Sequence, residues 1–169
     1  ATIQYTSPAY CKSFNWPQPI FLTGVGQIGG GIYTATPAGL TLNATNGEII
    51  PSSSVAGVYQ VTYTTPPVGG VCSAVVATTQ VTIIALSTAV LQYATPFCNS
   101  IAVPQSVTVT GTGSYASGTF SATPSGLSLN PNTGAIVPNQ SVVGNYTIAY
   151  LIPAAGGCPA VNEYATVTI

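Results

Sequence analysis

The chain has 169 residues, of which 2% are charged, where an ordinary soluble domain carries roughly 25%. The three strong charges are Lys12, Glu48 and Glu163, and His, Met and Asp are absent. This composition excludes a His-based catalytic triad, a His-bearing zinc site, an Asp-built calcium loop and a carboxylate pair close in sequence. A single Lys is also too few for phosphate neutralisation, so we expect neither an enzyme nor a nucleic-acid binder, and no cofactor.

The composition nevertheless predicts a folded chain. It is 46% hydrophobic with a net charge of -1, whereas disordered segments combine low hydrophobicity with high net charge. The richest apolar stretch, Val81–Leu86, is far shorter than the roughly 18 residues of a membrane span. We therefore expect no membrane insertion.

Short segments rich in β-branched and aromatic residues predict an all-β chain. Alternation of bulky and small or polar residues is clearest in Tyr59–Tyr63 and Tyr146–Tyr150. No helical pattern competes, and 18 Gly and 14 Pro would interrupt one. The predicted strands, in chain order, are Thr2–Thr6, Ile20–Thr23, Gly31–Thr36, Tyr59–Tyr63, Val75–Ile84, Ser106–Thr110, Thr119–Thr123, Tyr146–Tyr150 and Ala165–Ile169.

An internal repeat organises the whole chain. The block Ala35–Asn43 returns as Ala122–Asn130, 87 positions later. The repeat predicts two domains, residues 1–86 and 87–169, each an immunoglobulin-like β-sandwich. Their join has no Gly-rich or Pro-rich linker, so we expect a stiff connection, and the two ends suggest a two-unit segment of a longer array.

Two repeated turn signals accompany the strands. Gly47 and Gly134 lie between a Leu-x-Leu-Asn strand and an Ile-x-Pro strand, which predicts hairpin turns because glycine tolerates positive φ. Gly-x-Tyr triplets open the strongest strand of each repeat and predict tyrosine corners, in which the Tyr hydroxyl bonds to upstream backbone. The triplet residues are Gly57 and Tyr59 in repeat 1, and Gly144 and Tyr146 in repeat 2.

The four cysteines occupy matching places in the two repeats. They stand too far apart in sequence for the close pairs of zinc motifs. The pairing that keeps each repeat self-contained joins Cys11 to Cys72 and Cys98 to Cys158, and the alternative is buried free thiols. Disulfides would imply an oxidising, extracellular setting.

Repeat 1 also carries residues that repeat 2 lacks. Phe14, Trp16 and Phe21 form an aromatic cluster that either stacks on a sugar or a neighbouring unit, or fills the core locally. Lys12 and Glu48 are replaced by uncharged residues in repeat 2. We expect them to form a salt bridge or, as in some bacterial surface sandwiches, to take part in an isopeptide bond.

The motifs together resemble the tandem repeats of very large surface proteins of Bacteroidota. Those proteins include SprB-type gliding-motility adhesins and related type IX secreted proteins. The resemblance is carried best by Pro124–Ile136, Gly144–Tyr150 and Pro153–Cys158, and repeat 1 departs from it at Asn46 and by the extra Val71.

The resemblance implies export, cell-surface display and a structural role in an adhesin stalk or filament, without catalytic residues. The implied partners are neighbouring repeats of the same chain, and also surface glycans or other surface proteins. Two alternatives stay open. One is a self-assembling pilus-type filament subunit, and the other is a carbohydrate-binding module that uses an aromatic platform.

Overall fold

The computed structural model describes residues 1–26, 28–67 and 73–169. Within those residues the regular structure is β-strand and short 3-10 turn, so the all-β prediction is confirmed. The strands are β1 (Thr2–Tyr5), β2 (Ala9–Cys11), β3 (Ile20–Thr23), β4 (Ile32–Thr36), β5 (Gly57–Thr64), β6 (Val76–Ile84), β7 (Thr88–Gln92), β8 (Thr108–Thr112), β9 (Thr119–Thr123), β10 (Asn145–Ile152) and β11 (Val161–Thr168). The 3-10 turns are Pro51–Ser53, Tyr115–Ser117 and Pro138–Gln140.

The chain folds into two compact units. The first comprises Ala1–Leu86 together with Gly156–Cys158, and the second comprises Ser87–Ala155 and Pro159–Ile169. These units differ from the ranges predicted from the repeat in one respect. The segment Gly156–Cys158 belongs to repeat 2 by sequence and to the first unit in space.

The first unit contains two sheets. Strands β1 and β3 form an antiparallel pair, and the other sheet has the order β2-β6-β5-β4. Strand β2 runs parallel to β6, whereas β5 pairs antiparallel with both β4 and β6. The short parallel strand places Cys11 opposite Ile84 at the end of β6.

The second unit repeats most of this arrangement. Strands β7 and β8 form an antiparallel pair, and the other sheet has the order β11-β10-β9. In place of a strand equivalent to β2, the segment around Phe97 is hydrogen-bonded to the end of β11. The Phe97 amide donates to the Thr168 carbonyl at 2.9 Å, and the Thr168 amide donates to Thr95 Oγ1 at 2.9 Å.

The alternating residues form the core of each unit. In β5 the buried side chains are Tyr59, Val61 and Tyr63, and β10 buries the matching residues of repeat 2. The side chains between them face outward, as the period of two requires. One apolar cluster therefore fills each unit, built from the inward faces of its two sheets.

Tyrosine hydroxyls make many of the polar contacts in the interior of each unit. Each repeat has three tyrosines whose hydroxyls donate to backbone carbonyls at 2.6–2.8 Å. Every buried side-chain nitrogen or oxygen in the described part of the chain has a partner. A buried polar group without a partner is costly, so this satisfaction matters for stability. The donor and acceptor pairs are Tyr5 to Gly47, Tyr59 to Val55, Tyr63 to Ile28, Tyr93 to Gly134, Tyr146 to Val142 and Tyr150 to Tyr115.

The hydrogen bond expected of a tyrosine corner is present in both units. The hydroxyls of Tyr59 and Tyr146 each reach the carbonyl four residues upstream. The triplet glycines are not sterically required, because a methyl group at Gly57 or Gly144 would make only ordinary contact with the Tyr ring. Gly39 is the glycine that lies close to the corner hydroxyl, because a Cβ on it would be 2.9 Å from the Tyr59 oxygen.

Replacing Tyr146 with Phe tests the corner. The change leaves the ring packing intact and removes the hydroxyl that donates to the Val142 carbonyl, so the second unit should lose about 1 to 2 kcal/mol of stability. Urea denaturation measures the loss. Tyr164→Phe is the matched control because Tyr164 is exposed, and equal effects of the two substitutions would contradict a structural role for the corner.

Candidate functional site

A disulfide between Cys11 and Cys158 is the most distinctive feature of the first unit. The Cα atoms of the two residues are 4.9 Å apart, and the sulfur atoms are bonded. Cys11 lies at the end of β2 and is fully buried. The bond joins residues that are 147 positions apart and belong to different sequence repeats.

This bond corrects both predicted pairings. Cys11 does not pair with Cys72, and Cys158 does not pair with Cys98, because Cys11 and Cys158 pair with each other. The prediction assumed that each repeat closes on itself, whereas the Gly156–Cys158 loop folds with the first unit. Cys72 lies outside the described residues, together with the rest of the Gly-Gly-Val-Cys motif of repeat 1.

The loop that carries Cys158 depends on its two glycines. Gly156 and Gly157 have φ values of 58° and 82°, in the left-handed region that other residues rarely adopt. A Cβ on Gly156 would collide with the side chain of Ile84 in β6. Behind the loop, Cys158 Sγ lies 3.6 Å from the Ala85 carbonyl oxygen. Glycine thus lets the backbone approach the end of β6 closely enough to place Cys158 on Cys11.

A series of aromatic rings runs from the core of the first unit to its surface. Successive rings meet edge to face: Tyr5 and Tyr10 at 6.3 Å, Tyr10 and Phe14 at 6.4 Å, and Phe14 and Trp16 at 5.0 Å between centroids. Such pairs contribute roughly 0.5–1.5 kcal/mol beyond their buried area. Phe14 packs on the core, while Trp16 is 54% exposed. Phe14 thus fills the core locally, whereas Phe21, the third aromatic residue of the cluster, is as exposed as Trp16.

The disulfide and the aromatic series adjoin each other. The Phe14 amide donates to the Cys11 carbonyl at 3.1 Å, and a methyl group on Gly157 would lie 3.8 Å from Phe14 Cε2. The structure thus brings together Cys11, Cys158, Phe14 and Trp16, which the sequence singled out for separate reasons.

Cys98 occupies the equivalent place in the second unit and is an exposed free thiol. Its sulfur lies 3.1 Å from Ser100 Oγ. Hydrogen bonds from the side chain and backbone of Ser100 hold the pKa of the Cys98 thiol below its usual value. Cys98 is therefore more readily ionised than an isolated cysteine.

The charged residues do not form a site in the described part of the chain. Glu48 Oε2 accepts a hydrogen bond from Asn46 Nδ2 at 2.8 Å, within the hairpin turn. Lys12 and Glu48 both lie within the described residues and form no salt bridge with each other, so that prediction is wrong. The alternative, a Lys-Asn isopeptide bond assisted by Glu48, stays a prediction. Residues 1–26, 28–67 and 73–169 contain no group of three or more His, Cys, Asp and Glu placed to hold a metal ion. Their helices are also too short or too polar to cross a membrane.

Buried tyrosines give the chain an alkaline limit. Burial raises the pKa of Tyr93 to about 12. Burial also raises the pKa of Tyr5, and the nearby Tyr10 and Tyr33 contribute to that rise. An unfolded tyrosine has a pKa of about 10, so the folded state favours the neutral phenol. The stabilisation is complete below about pH 10 and is lost as pH rises through the folded values.

We therefore expect stability to stay nearly constant from about pH 4 to 9 and to fall steeply above about pH 10. Urea midpoints recorded along a pH series in a Cys98→Ser background, which removes the free exposed thiol, measure the profile. Tyr93→Phe should reduce the alkaline slope. A transition between about pH 4 and 9 would contradict this account.

Two solved structures share the fold of this chain. Protocadherin gammaB7 EC3-6, described as a cis-dimer structure, is 14% identical, with a TM-score of 0.52 over 99% of this chain and 50% of that one. Drosophila N-cadherin EC1-4 is 11% identical, with a TM-score of 0.51 over 99% of this chain and 48% of that one. This chain thus spans about half the length of each.

These matches confirm the predicted fold class of tandem immunoglobulin-like β-sandwiches. At such low identity the likeness concerns the fold alone. The sequence matches no protein-family model and no curated protein.

Proposed function

We propose that the chain is a structural segment of a large extracellular adhesin or filament, in which residues 1–86 and 87–169 are two copies of a repeated stalk unit. The Cys11–Cys158 disulfide carries the proposal. It joins two sequence repeats covalently, so a pulling force applied at the two ends of the chain passes through the bond instead of through the 147-residue span between the cysteines.

The composition supports the same role. With 2% charged residues, the chain has few groups on which pH or salt can act, and its buried polar contacts are uncharged. A disulfide is maintained in an oxidising compartment such as the cell exterior. The finer assignment, to a SprB-type gliding-motility adhesin of Bacteroidota, is supported by the Pro-x-Gly-Leu and Gly-x-Tyr motifs of both repeats and by the Gly-Gly-Cys motif of repeat 2, which has the form Gly-Gly-Val-Cys in repeat 1.

Single-molecule force spectroscopy tests the load-bearing role. With the chain held at its two ends, unfolding in oxidising buffer should release only the short segments outside the disulfide. In reductant, the contour length released on unfolding should increase by the segment between the two cysteines, whose 147-residue separation is roughly 500 Å of extended chain. Cys98→Ser should leave both traces unchanged. Equal contour lengths with and without reductant would contradict the proposal.

Surface location has its own test. Antibodies raised against the folded chain should label the surface of intact cells of the source organism, along fibres when viewed by immunogold electron microscopy. Label confined to the cell interior would contradict extracellular display, whatever the mechanical result.

A second candidate function, carbohydrate binding, is favoured by the exposure of Trp16. Its ring stands at the surface with one edge supported by Phe14, and a supported aromatic ring is a plausible platform for a sugar. A glycan array tests this function. Trp16→Ala should abolish any binding, whereas Phe21→Ala, at a residue equally exposed at 54%, should not. Absence of binding by the unmodified chain would eliminate this candidate.

A further inference from the structure

Cys11 and Cys98 stand on the same local framework in the two units. The carbonyl of Cys11 accepts a hydrogen bond from the Phe14 amide at 3.1 Å, and the carbonyl of Cys98 accepts one from the Ile101 amide at 3.0 Å. Both residues follow a Tyr-x-(x)-Pro segment at matching places in the repeat. The two cysteines thus begin equivalent turns, one in each unit.

The next hydrogen bond along the chain is also conserved between the units. The Ser52 amide donates to the Phe14 carbonyl at 2.9 Å, and the Asn139 amide donates to the Ile101 carbonyl at 3.0 Å. These donors belong to the 3-10 turns Pro51–Ser53 and Pro138–Gln140. The backbone around the two cysteines is therefore equivalent in both units, from the turn that follows each cysteine to the 3-10 turn that is hydrogen-bonded to it.

The two sites differ in what covers them. Cys11 is fully buried and bonded to the loop Gly156–Cys158, which belongs by sequence to the following repeat. Cys98 is exposed and carries a free thiol. Its counterpart Cys11 therefore shows which ligand this position takes, namely a Gly-Gly-Cys loop.

We propose that Cys98 forms a disulfide with the Gly-Gly-Cys loop of a further copy of the repeat, as Cys11 does with Cys158. The bond would join each repeat to the one that follows it. This inference rests on the proposed tandem arrangement and adds the chemistry of its junctions. A filament built in this way has a continuous series of covalent links between successive repeats.

The chemistry needs a two-electron oxidant. Cys98 and the loop cysteine each lose a proton, and the pair gives two electrons to a disulfide such as oxidised glutathione, which leaves as two molecules of glutathione. Attack begins from the thiolate, and the contacts with Ser100 that favour ionisation of Cys98 assist that step. Exposure of the sulfur gives the incoming loop access.

An extended chain provides the test, and the register shows where to extend it. Ile83 pairs with Gly57 in the first unit, and Ile169 exchanges two backbone hydrogen bonds with Gly144 in the second. Ile169 therefore occupies the place of Ile83. A second copy of residues 84–169 appended after Ile169 continues the repeat without a break.

The extended chain is folded in a glutathione redox buffer, treated with iodoacetamide and digested with pepsin, because one Lys makes trypsin useless. The appended copy is joined by ligation and carries heavy isotopes, so that its peptides differ in mass from those of residues 1–169, and only preparations in which the Cys11–Cys158 peptide has formed are scored. We expect Cys98 to be cross-linked to the second cysteine of the appended copy, and its labelling to fall roughly tenfold relative to the 169-residue chain. Cys98→Ser in the extended chain should leave that partner cysteine open to labelling.

Undiminished labelling of Cys98, or its cross-linking to any other cysteine, would overturn the inference. A second measurement needs no extended chain. A peptide of residues 153–160, activated as a mixed disulfide, should react with Cys98 roughly tenfold faster than the same peptide with both glycines replaced by alanine. Equal rates would also overturn it. Neither result bears on the force measurement, which depends on Cys11 and Cys158 alone.

Discussion

Replacing Cys11 and Cys158 together with alanine should lower the free energy of unfolding, summed over the chain, by about 4 to 5 kcal/mol. The reason is the length of the closed loop, because cross-linking residues 147 positions apart removes a large part of the entropy of the unfolded chain. The double substitution avoids leaving one buried thiol without its partner. Urea denaturation under oxidising conditions measures the change.

Cys98→Ser is the matched control for this prediction. The residue lies on an equivalent turn, is exposed and closes no loop, so the change in stability should stay within about 0.5 kcal/mol. Reductant should reproduce the effect of the double substitution in the parent chain and have no effect on the double variant. A parent chain whose stability is indifferent to reductant would show that the disulfide is not a stabilising element.

Replacing Gly47 with alanine should destabilise the first unit by about 2 to 5 kcal/mol. Gly47 has a φ of 75°, and a left-handed conformation costs an L-residue roughly 1–2 kcal/mol. A Cβ would also lie 2.5 Å from Ile20 Cγ2 and 2.8 Å from Tyr33 Cε1, and such overpacking adds about 1–3 kcal/mol. Moreover, the Gly47 carbonyl accepts the buried hydrogen bond from Tyr5.

Two further substitutions separate these causes. Gly26 has a similar φ of 82°, and a Cβ at this position would have no atom within 4 Å. Gly26→Ala should therefore show the conformational cost alone. Gly134→Ala should match Gly47→Ala in the second unit, because its Cβ would meet Val107 and Phe120. Equal destabilisation by Gly26→Ala and Gly47→Ala, measured by urea denaturation, would contradict the steric part of the argument.

Alternation predicted the strongest strands well because it reflects burial directly. The residues of β5 and β10 face alternately into the core and outward, and no local conflict disturbs that period. Strand β2 was missed because it has three residues and is defined by its parallel pairing with β6, which a short sequence segment cannot reveal. Strand β11 begins at Val161 instead of Ala165, since its polar start pairs with the end of β10.

The predicted hairpins are present, but their loops are longer than two residues. The amide of Asn43 donates to the carbonyl of Glu48 at 2.8 Å, so residues 44–47 form a four-residue loop with Gly47 at its end. The side chain of Asn43 accepts hydrogen bonds from the amides of Thr45 and Asn46, which fixes the turn. The local motif identified the turn, and side-chain bonding set its length.

The candidate site was harder to predict than the fold. Repeat equivalence located all four cysteines, but it could not show that the loop carrying Cys158 folds with the first unit. That placement depends on tertiary contacts of Gly156 with Ile84. Sequence reasoning also passed over Gly39 and its counterpart Gly126, which press against the corner hydroxyls. The repeated Pro-x-Gly-Leu motif was the signal that could have identified them.

The exposure of Trp16 likewise followed from packing that the sequence did not specify. Phe14 fills the space next to Tyr10, and its edge-to-face contact then leaves the indole at the surface. Composition could establish that repeat 1 has an aromatic cluster and repeat 2 lacks one. Which of its members is buried depends on the turn that begins at Cys11.

Peptide mapping of the unreduced chain tests the central claim most directly. The chain is alkylated with iodoacetamide at neutral pH, digested with pepsin in acid to prevent disulfide exchange, and analysed by mass spectrometry. We predict a cross-linked peptide pair that contains Cys11 and Cys158, with Cys98 alkylated in the monomer. Cross-linked pairs joining Cys11 to Cys72 or Cys98 to Cys158 would show that each repeat closes on itself, and would contradict the covalent link between repeats on which the stalk function rests.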